Sequence, residues 1–168
     1  HLVDRLRASG AKLQPPVDSN AELPEVGQLL NERFRVGAFL GSGGMGLVFH
    51  GEDLETGSKV VIKTLRPGNT RQELVRFVQE ASLDLPDHAN IVQTVAQFID
   101  GNRPYHVQES IDGRNLSEVL HARQEDRGPQ NLAEEDWFDS SKAPRAAVTA
   151  IADLAGALCA LHKNGVVH

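Results

Sequence analysis

The sequence predicts an α+β fold: a five-stranded antiparallel sheet with one long helix, followed by the helices of a second part. Three observations predict it. Strand-like runs at 34–40, 47–53 and 58–65 carry β-branched and aromatic residues and are joined by connections too short for a crossover, so they pair antiparallel. Thr70-Arg71-Gln72-Glu73 has the form of a capping box and opens a segment with helical apolar spacing. A second, longer helical pattern begins at Pro144.

Taken in order, residues 1–32 carry Pro15-Pro16, Pro24 and scattered charges and read as a linker or extension. Leu2, Val3 and Leu6 allow one short amphipathic turn there. A chain that opens on His1 is expected to be a fragment or a processed product. The sheet part is expected over 33–110. After the first three strands, Leu74, Phe77, Val78, Ala81 and Leu85 follow helical spacing until Pro86. His88-Ala89-Asn90-Ile91-Val92 leads into a fourth strand through Phe98, and Asp100-Gly101-Asn102 turns into a fifth at 105–110. The second part is expected over 111–168. A short helix starts at Asn115, and the polar stretch 124–142 reads as an exposed loop tacked down by Trp137-Phe138. The last helix presents Ala147, Ile151, Leu154, Ala155, Leu158 and Leu161 on one face and stops at Asn164-Gly165.

The most informative stretch is Leu40-Gly41-Ser42-Gly43-Gly44-Met45-Gly46-Leu47-Val48. Clustered glycines cost backbone entropy and supply no packing. They do let amides approach an anion without a Cβ in the way. The dinucleotide-binding loop runs from strand into helix, whereas here a strand follows. No Gly-Lys-Ser/Thr closes the stretch, so it is not a Walker A loop. A glycine hairpin covering a phosphate, or a glycine turn with no ligand, remains. Lys63, ending Val60-Val61-Ile62-Lys63, is sited to bring a positive charge under the hairpin, although a strand-end lysine can equally reach solvent. Glu80 lies at the margin of the helix stripe, where it can turn inward to Lys63 or stay solvated.

Bulk properties exclude other classes. A net charge of −6 argues against a nucleic-acid surface. One cysteine, Cys159, rules out an internal disulfide and fits a reducing, cytoplasmic compartment. The seven histidines form no His-x-x-x-His pair, so no metal site is expected. No apolar run is seen that approaches the ~20 residues of a membrane span, and no signal peptide is visible.

Together, the ordered motifs resemble the N-terminal half of a eukaryotic-like Ser/Thr protein kinase of bacterial type, over roughly residues 33 to 168. The resemblance implies a kinase-like N-lobe over 33–110 and the hinge and start of a C-lobe over 111–168. It implies that Gly41, Ser42, Gly43, Gly44, Met45 and Gly46 cover the phosphates of ATP. Leu40, Val48 and Val61 would bound the adenine. Lys63 would contact the phosphates and pair with Glu80. Gln108 would be the gatekeeper, and the Glu109 carbonyl and Ile111 amide would bind the adenine edge. Asn115 would lie near the ribose. His168 looks like the histidine that opens the His-Arg-Asp motif, so the catalytic aspartate and the ligands for Mg2+ are expected beyond it and no catalytic residue within the chain. Val61 departs from the family's usual alanine and would narrow the slot. Gln108 is polar where many relatives are apolar.

The implied function is the ATP-binding portion of a kinase that transfers the γ-phosphoryl group to Ser or Thr hydroxyls of a protein substrate. By that reading the 168 residues alone are inactive. The alternative is a non-catalytic nucleotide-binding or interaction module.

Overall fold

The computed structural model describes residues 23–166 other than 45, 126, 130 and 131, and gives no side-chain surroundings for 132 and 133. The turn expected from Leu2, Val3 and Leu6, Met45 and His168 lie outside the described residues. The chain divides into two units. One combines the residues up to Leu85 with Val92–Ser110, and the other combines Pro86–Ile91 with Ile111 onward. Residues 86–91, expected with the sheet, therefore belong with the second unit.

The first unit is an antiparallel sheet of six strands, one more than expected. They are β1 (Leu29–Leu30), β2 (Phe34–Gly43), β3 (Gly46–Asp53), β4 (Ser58–Thr64), β5 (Thr94–Asp100) and β6 (Arg103–Glu109), in the order β1-β2-β3-β4-β6-β5. The extra strand comes from residues read as linker. Leu30 is fully buried, and its backbone is aligned opposite Phe34. The turn between β1 and β2 holds Asn31 and Glu32 at φ 49° and 55°. Paired positive φ values suit a tight hairpin, and the absence of glycine there hid it from the sequence.

Strand alternation builds one core. Val60 and Ile62 of β4 point the same way as Phe34, Val36, Leu47, Phe49 and Val107, all buried. Phe98 stacks between Phe34 and Tyr105, with ring centroids at 5.6 and 5.4 Å. Each such buried side chain contributes roughly 1.5–3 kcal/mol. The turn after β1 also reaches the end of β5, because the Asn31 amide donates to Asp100 Oδ2 at 3.1 Å. The sheet therefore curls around its own apolar face. Asp53, 1% exposed, is held by Arg33 through two 2.7 Å hydrogen bonds and by the Thr56 hydroxyl at 3.0 Å. That guanidinium holds the Asp53 carboxyl well below the usual carboxylate range.

Helix α1 (Arg71–Ala81) starts as its sequence dictates. Thr70 accepts from the Glu73 amide at 3.2 Å, and Glu73 accepts from the Thr70 amide at 2.6 Å. Phe77, Val78 and Ala81 are buried, with Phe77 packing on Leu65. The helix ends at Ala81, short of the expected Leu85. The residue before Pro86 is biased away from helical backbone, and Leu83 is left exposed.

The second unit is helical. Helix α2 (Leu116–Gln124) is capped by Asn115 in a second capping box with Glu118. Residues 124–142, expected as an exposed loop, contain helix α3 (Leu132–Phe138). Its polar composition hid a helix anchored by the ion pair of Arg114 with Glu134, both largely buried. Helix α4 (Ala143–Lys163) buries only Ala143 and Ala157, while Ile151 and Leu154 are exposed. At 21 residues, α4 is long and apolar enough by length and composition to cross a membrane, which overturns the expectation that no segment is. Its alanines and glycine dilute the apolar signal, so no continuous run stood out.

Candidate functional site

The glycine stretch is itself sheet. β2 runs through Gly43, and Gly43 pairs with Gly46, leaving only Gly44 and Met45 between the strands. The four glycines are there for two different reasons. A Cβ on Gly46 would lie 2.1 Å from the Thr64 carbonyl oxygen, so β4 forces glycine at that position. Gly41, Gly43 and Gly44 have no such neighbour: among the described residues nothing lies within 4 Å of a Cβ there. Internal packing does not ask for glycine at these three positions, while close approach of an external group does. Arg66 steadies the tip by donating to the Gly44 carbonyl at 3.3 Å.

Register places the remaining side chains. Val48 is opposite Lys63, Lys63 is opposite His106, and Val61 is opposite Gln108. Cross-strand partners share a face. Val48, Val61, Lys63, His106 and Gln108 therefore stand together on the face away from the Val60, Ile62 and Val107 core. Glu80, on α1, reaches Lys63 with Oε1 4.0 Å from Nζ. These two side chains are 34% and 39% exposed, so their pair is worth at most about 1 kcal/mol. Its consequence is placement: a cation held beneath the glycine hairpin between two apolar valines.

Leu40 is exposed beside Gly41, which pairs with Val48; Ser42 pairs with Leu47. Glu109 ends β6. Its amide donates to the Gln93 carbonyl at 3.1 Å and its side chain accepts from the Gln93 amide at 2.8 Å. Ile111, 66% exposed, belongs to the second unit. So does Asn115, whose side-chain oxygen is used by the Glu118 amide as a helix cap.

His106 was missed as a residue of this face. It is 2% exposed and makes a 3.0 Å hydrogen bond with the Thr94 hydroxyl. Burial, and secondarily the Lys63 charge, push its imidazole down to about 4, so it is neutral beside Lys63 at physiological pH. The signal that would have found it is register, since β6 lies between two strands and is buried on both faces.

A curled antiparallel sheet, a glycine hairpin and a strand lysine facing a helix glutamate define the sheet lobe of a protein kinase domain. The comparisons agree. The family model described as protein tyrosine and serine/threonine kinase matches residues 34–168. The chain belongs to the protein tyrosine and serine/threonine kinase family. It is 35% identical over 138 residues to the serine/threonine-protein kinase Pkn1 of Myxococcus xanthus, covering 80% of this chain and 17% of that protein. It is 32% identical over 148 residues to PknB of Mycolicibacterium smegmatis, covering 84% of this chain and 21% of that one. The probable serine/threonine-protein kinase YbdM of Bacillus subtilis is 34% identical over 102 residues, 59% of this chain and 40% of its own. The chain thus spans less than half the length of each of these relatives. A crystal structure of a kinase domain superposes with TM-score 0.54 at 18% identity, covering 73% of this chain and 38% of that chain, and shares the fold. The family match runs through α4, which places that apolar helix inside the kinase domain.

Proposed function

We propose that this chain is the ATP-binding portion of a protein serine/threonine kinase, whose whole form transfers the γ-phosphoryl group of ATP to Ser or Thr hydroxyls of a protein substrate. The observation that carries the reading is Lys63, 4.0 Å from Glu80 and opposite Val48, at the base of a hairpin whose Gly41, Gly43 and Gly44 leave a Cβ-sized space. Amides of the hairpin would lie over the phosphates, and the Lys63 ammonium, steadied by Glu80, would offset their charge. Leu40, Val48 and Val61 would sandwich the base. The Glu109 carbonyl would accept from its amino group, and the Ile111 amide would donate to it. Gln108 would stand at the back of that slot beside Val61. Mg2+ would accompany the ATP and offset the charge of its phosphates. The one cysteine supports a cytoplasmic setting for this part of the protein.

The test is calorimetric titration of the 168-residue chain with ATP, beside Lys63→Met. Binding to the parent chain that disappears in Lys63→Met, with the far-ultraviolet spectrum unchanged, is the expected result. Equal affinity in the two chains would sink the reading.

A further inference from the structure

We propose that the Glu109 side chain is a positioning group for its own backbone carbonyl: it takes the Gln93 amide that the sheet would otherwise give to that carbonyl, and so reserves the carbonyl for an outside donor. The swap of acceptors stands on geometry. That the outside donor is the amino group of an adenine rests on the nucleotide reading above.

Strands β5 and β6 run antiparallel, and Thr94 is opposite Gln108 at the last pair of their ladder. One step further, Gln93 falls opposite Glu109. In a regular hydrogen-bonded pair, two such residues exchange both backbone bonds, each amide to the other's carbonyl. One half of that exchange is regular here, because the Glu109 amide donates to the Gln93 carbonyl at 3.1 Å. The other half is not. The Gln93 amide donates to Glu109 Oε1 at 2.8 Å, so the side chain stands where the backbone carbonyl would. The ladder is also out of step at this end, with a register shift between Thr94 and Ala96. Such irregularities end pairing and re-aim groups beside binding sites.

Charge explains which acceptor wins. A hydrogen bond to a carboxylate is roughly twice as strong as one between neutral groups, so the side chain outcompetes the carbonyl of its own residue. Strand β4, on the other side of β6, is turned away from that carbonyl. Glu109 is opposite Val60, but the amide and carbonyl of one strand residue point to the same side, and the Glu109 amide points to Gln93. A half-buried strand-end carbonyl turned out of its ladder calls for another donor. Its place suits the base, since Glu109 follows Gln108, which stands opposite Val61.

Two measurements on the 168-residue chain decide the matter. Magnetic resonance couplings across hydrogen bonds report which carbon accepts from the Gln93 amide. The parent chain is expected to show the coupling to the Glu109 side-chain carboxyl carbon, and Glu109→Ala to the backbone carbonyl at 109. Calorimetric titration then compares ATP with purine riboside triphosphate, which lacks the amino group of adenine. Glu109→Ala is expected to reduce the preference for ATP over this analogue by about fivefold. Glu109→Gln keeps a side-chain oxygen and is expected to retain most of the preference. A parent-chain coupling from the Gln93 amide to the Glu109 backbone carbonyl overturns the swap, as does a Gln93 amide that finds no coupling to that carbonyl in Glu109→Ala. An unchanged preference in Glu109→Ala overturns the role toward the base, because a merely loosened strand end would weaken both nucleotides alike. Absence of ATP binding to the parent chain counts against the nucleotide reading and against adenine as the donor, and the couplings still decide the swap.

Discussion

The two units of this chain use apolar residues in opposite ways. In the sheet unit Leu30, Phe34, Ile62 and Val107 are fully buried around stacked aromatic rings, and the buried Asp53 carboxylate is met by Arg33. In the helical unit α4 leaves Val148 and Ile151 67% exposed and Leu154 60% exposed. A sheet that curls on itself supplies its own covering layer. A helix with one apolar stripe must borrow one. The difference teaches that periodicity specifies an element, while its partners decide what that element is worth.

The largest test of that contrast is truncation. Phe34→Ala is expected to cost about 3–5 kcal/mol in denaturant unfolding. Leu154→Ala is expected to stay within about 0.5 kcal/mol. Equal losses would show that α4 is covered after all. Next is the glycine hairpin. Gly46→Ala drives a methyl group into the Thr64 carbonyl and is expected to cost roughly 2 kcal/mol. Gly43→Ala is expected to change stability by under about 0.5 kcal/mol and to weaken ATP binding, which titration reads separately. A destabilised Gly43→Ala chain would return the hairpin to a purely structural role.

Acid sharpens the comparison further. The Asp53 carboxyl is depressed in the folded state, so its contribution is full above the unfolded value of about 3.9 and is lost as pH falls toward the lower folded value. Asp53→Asn is expected to flatten the acid limb of sheet unfolding below about pH 4, read by fluorescence of the stability midpoint against pH. The last test is a gain. Glu32, at φ 55°, is expected to yield about 1 kcal/mol on replacement by glycine, seen as a higher melting temperature.

Much of the architecture was legible because its signals are local. Thr70 and Glu73 announce a helix start four residues at a time, and 58–65 announces a strand by β-branching alone. The sequence also pointed to Lys63, Glu80 and the hairpin. Other features depend on distant chain. Leu29–Leu30 becomes a strand only because Phe34 and Arg35 offer an edge. Helix α3 lies in a polar stretch whose fixture, Arg114, is 20 residues from Glu134. His106 gains its place beside Lys63 from register, which no single strand encodes. The three open glycines and the one obstructed glycine look alike in sequence and differ only once β4 lies beside them.

The brevity of β1 carries a mechanical consequence. It pairs with β2 only at Phe34 and Arg35, with one more exchange of backbone bonds between Val36 and residues 27–28. Among the described residues, β2 beyond Gly37 pairs with β3 alone, and their register slips between Val36 and Phe39 and again between Phe39 and Gly41. The β2 arm of the hairpin thus hangs from one row of bonds, with a built-in crease at its root, while the β3 arm is fastened to β4 as far as Leu47. The β2 arm can bend at 37–41 without disturbing the β3–β4 ladder, so the two arms of the hairpin differ in stiffness.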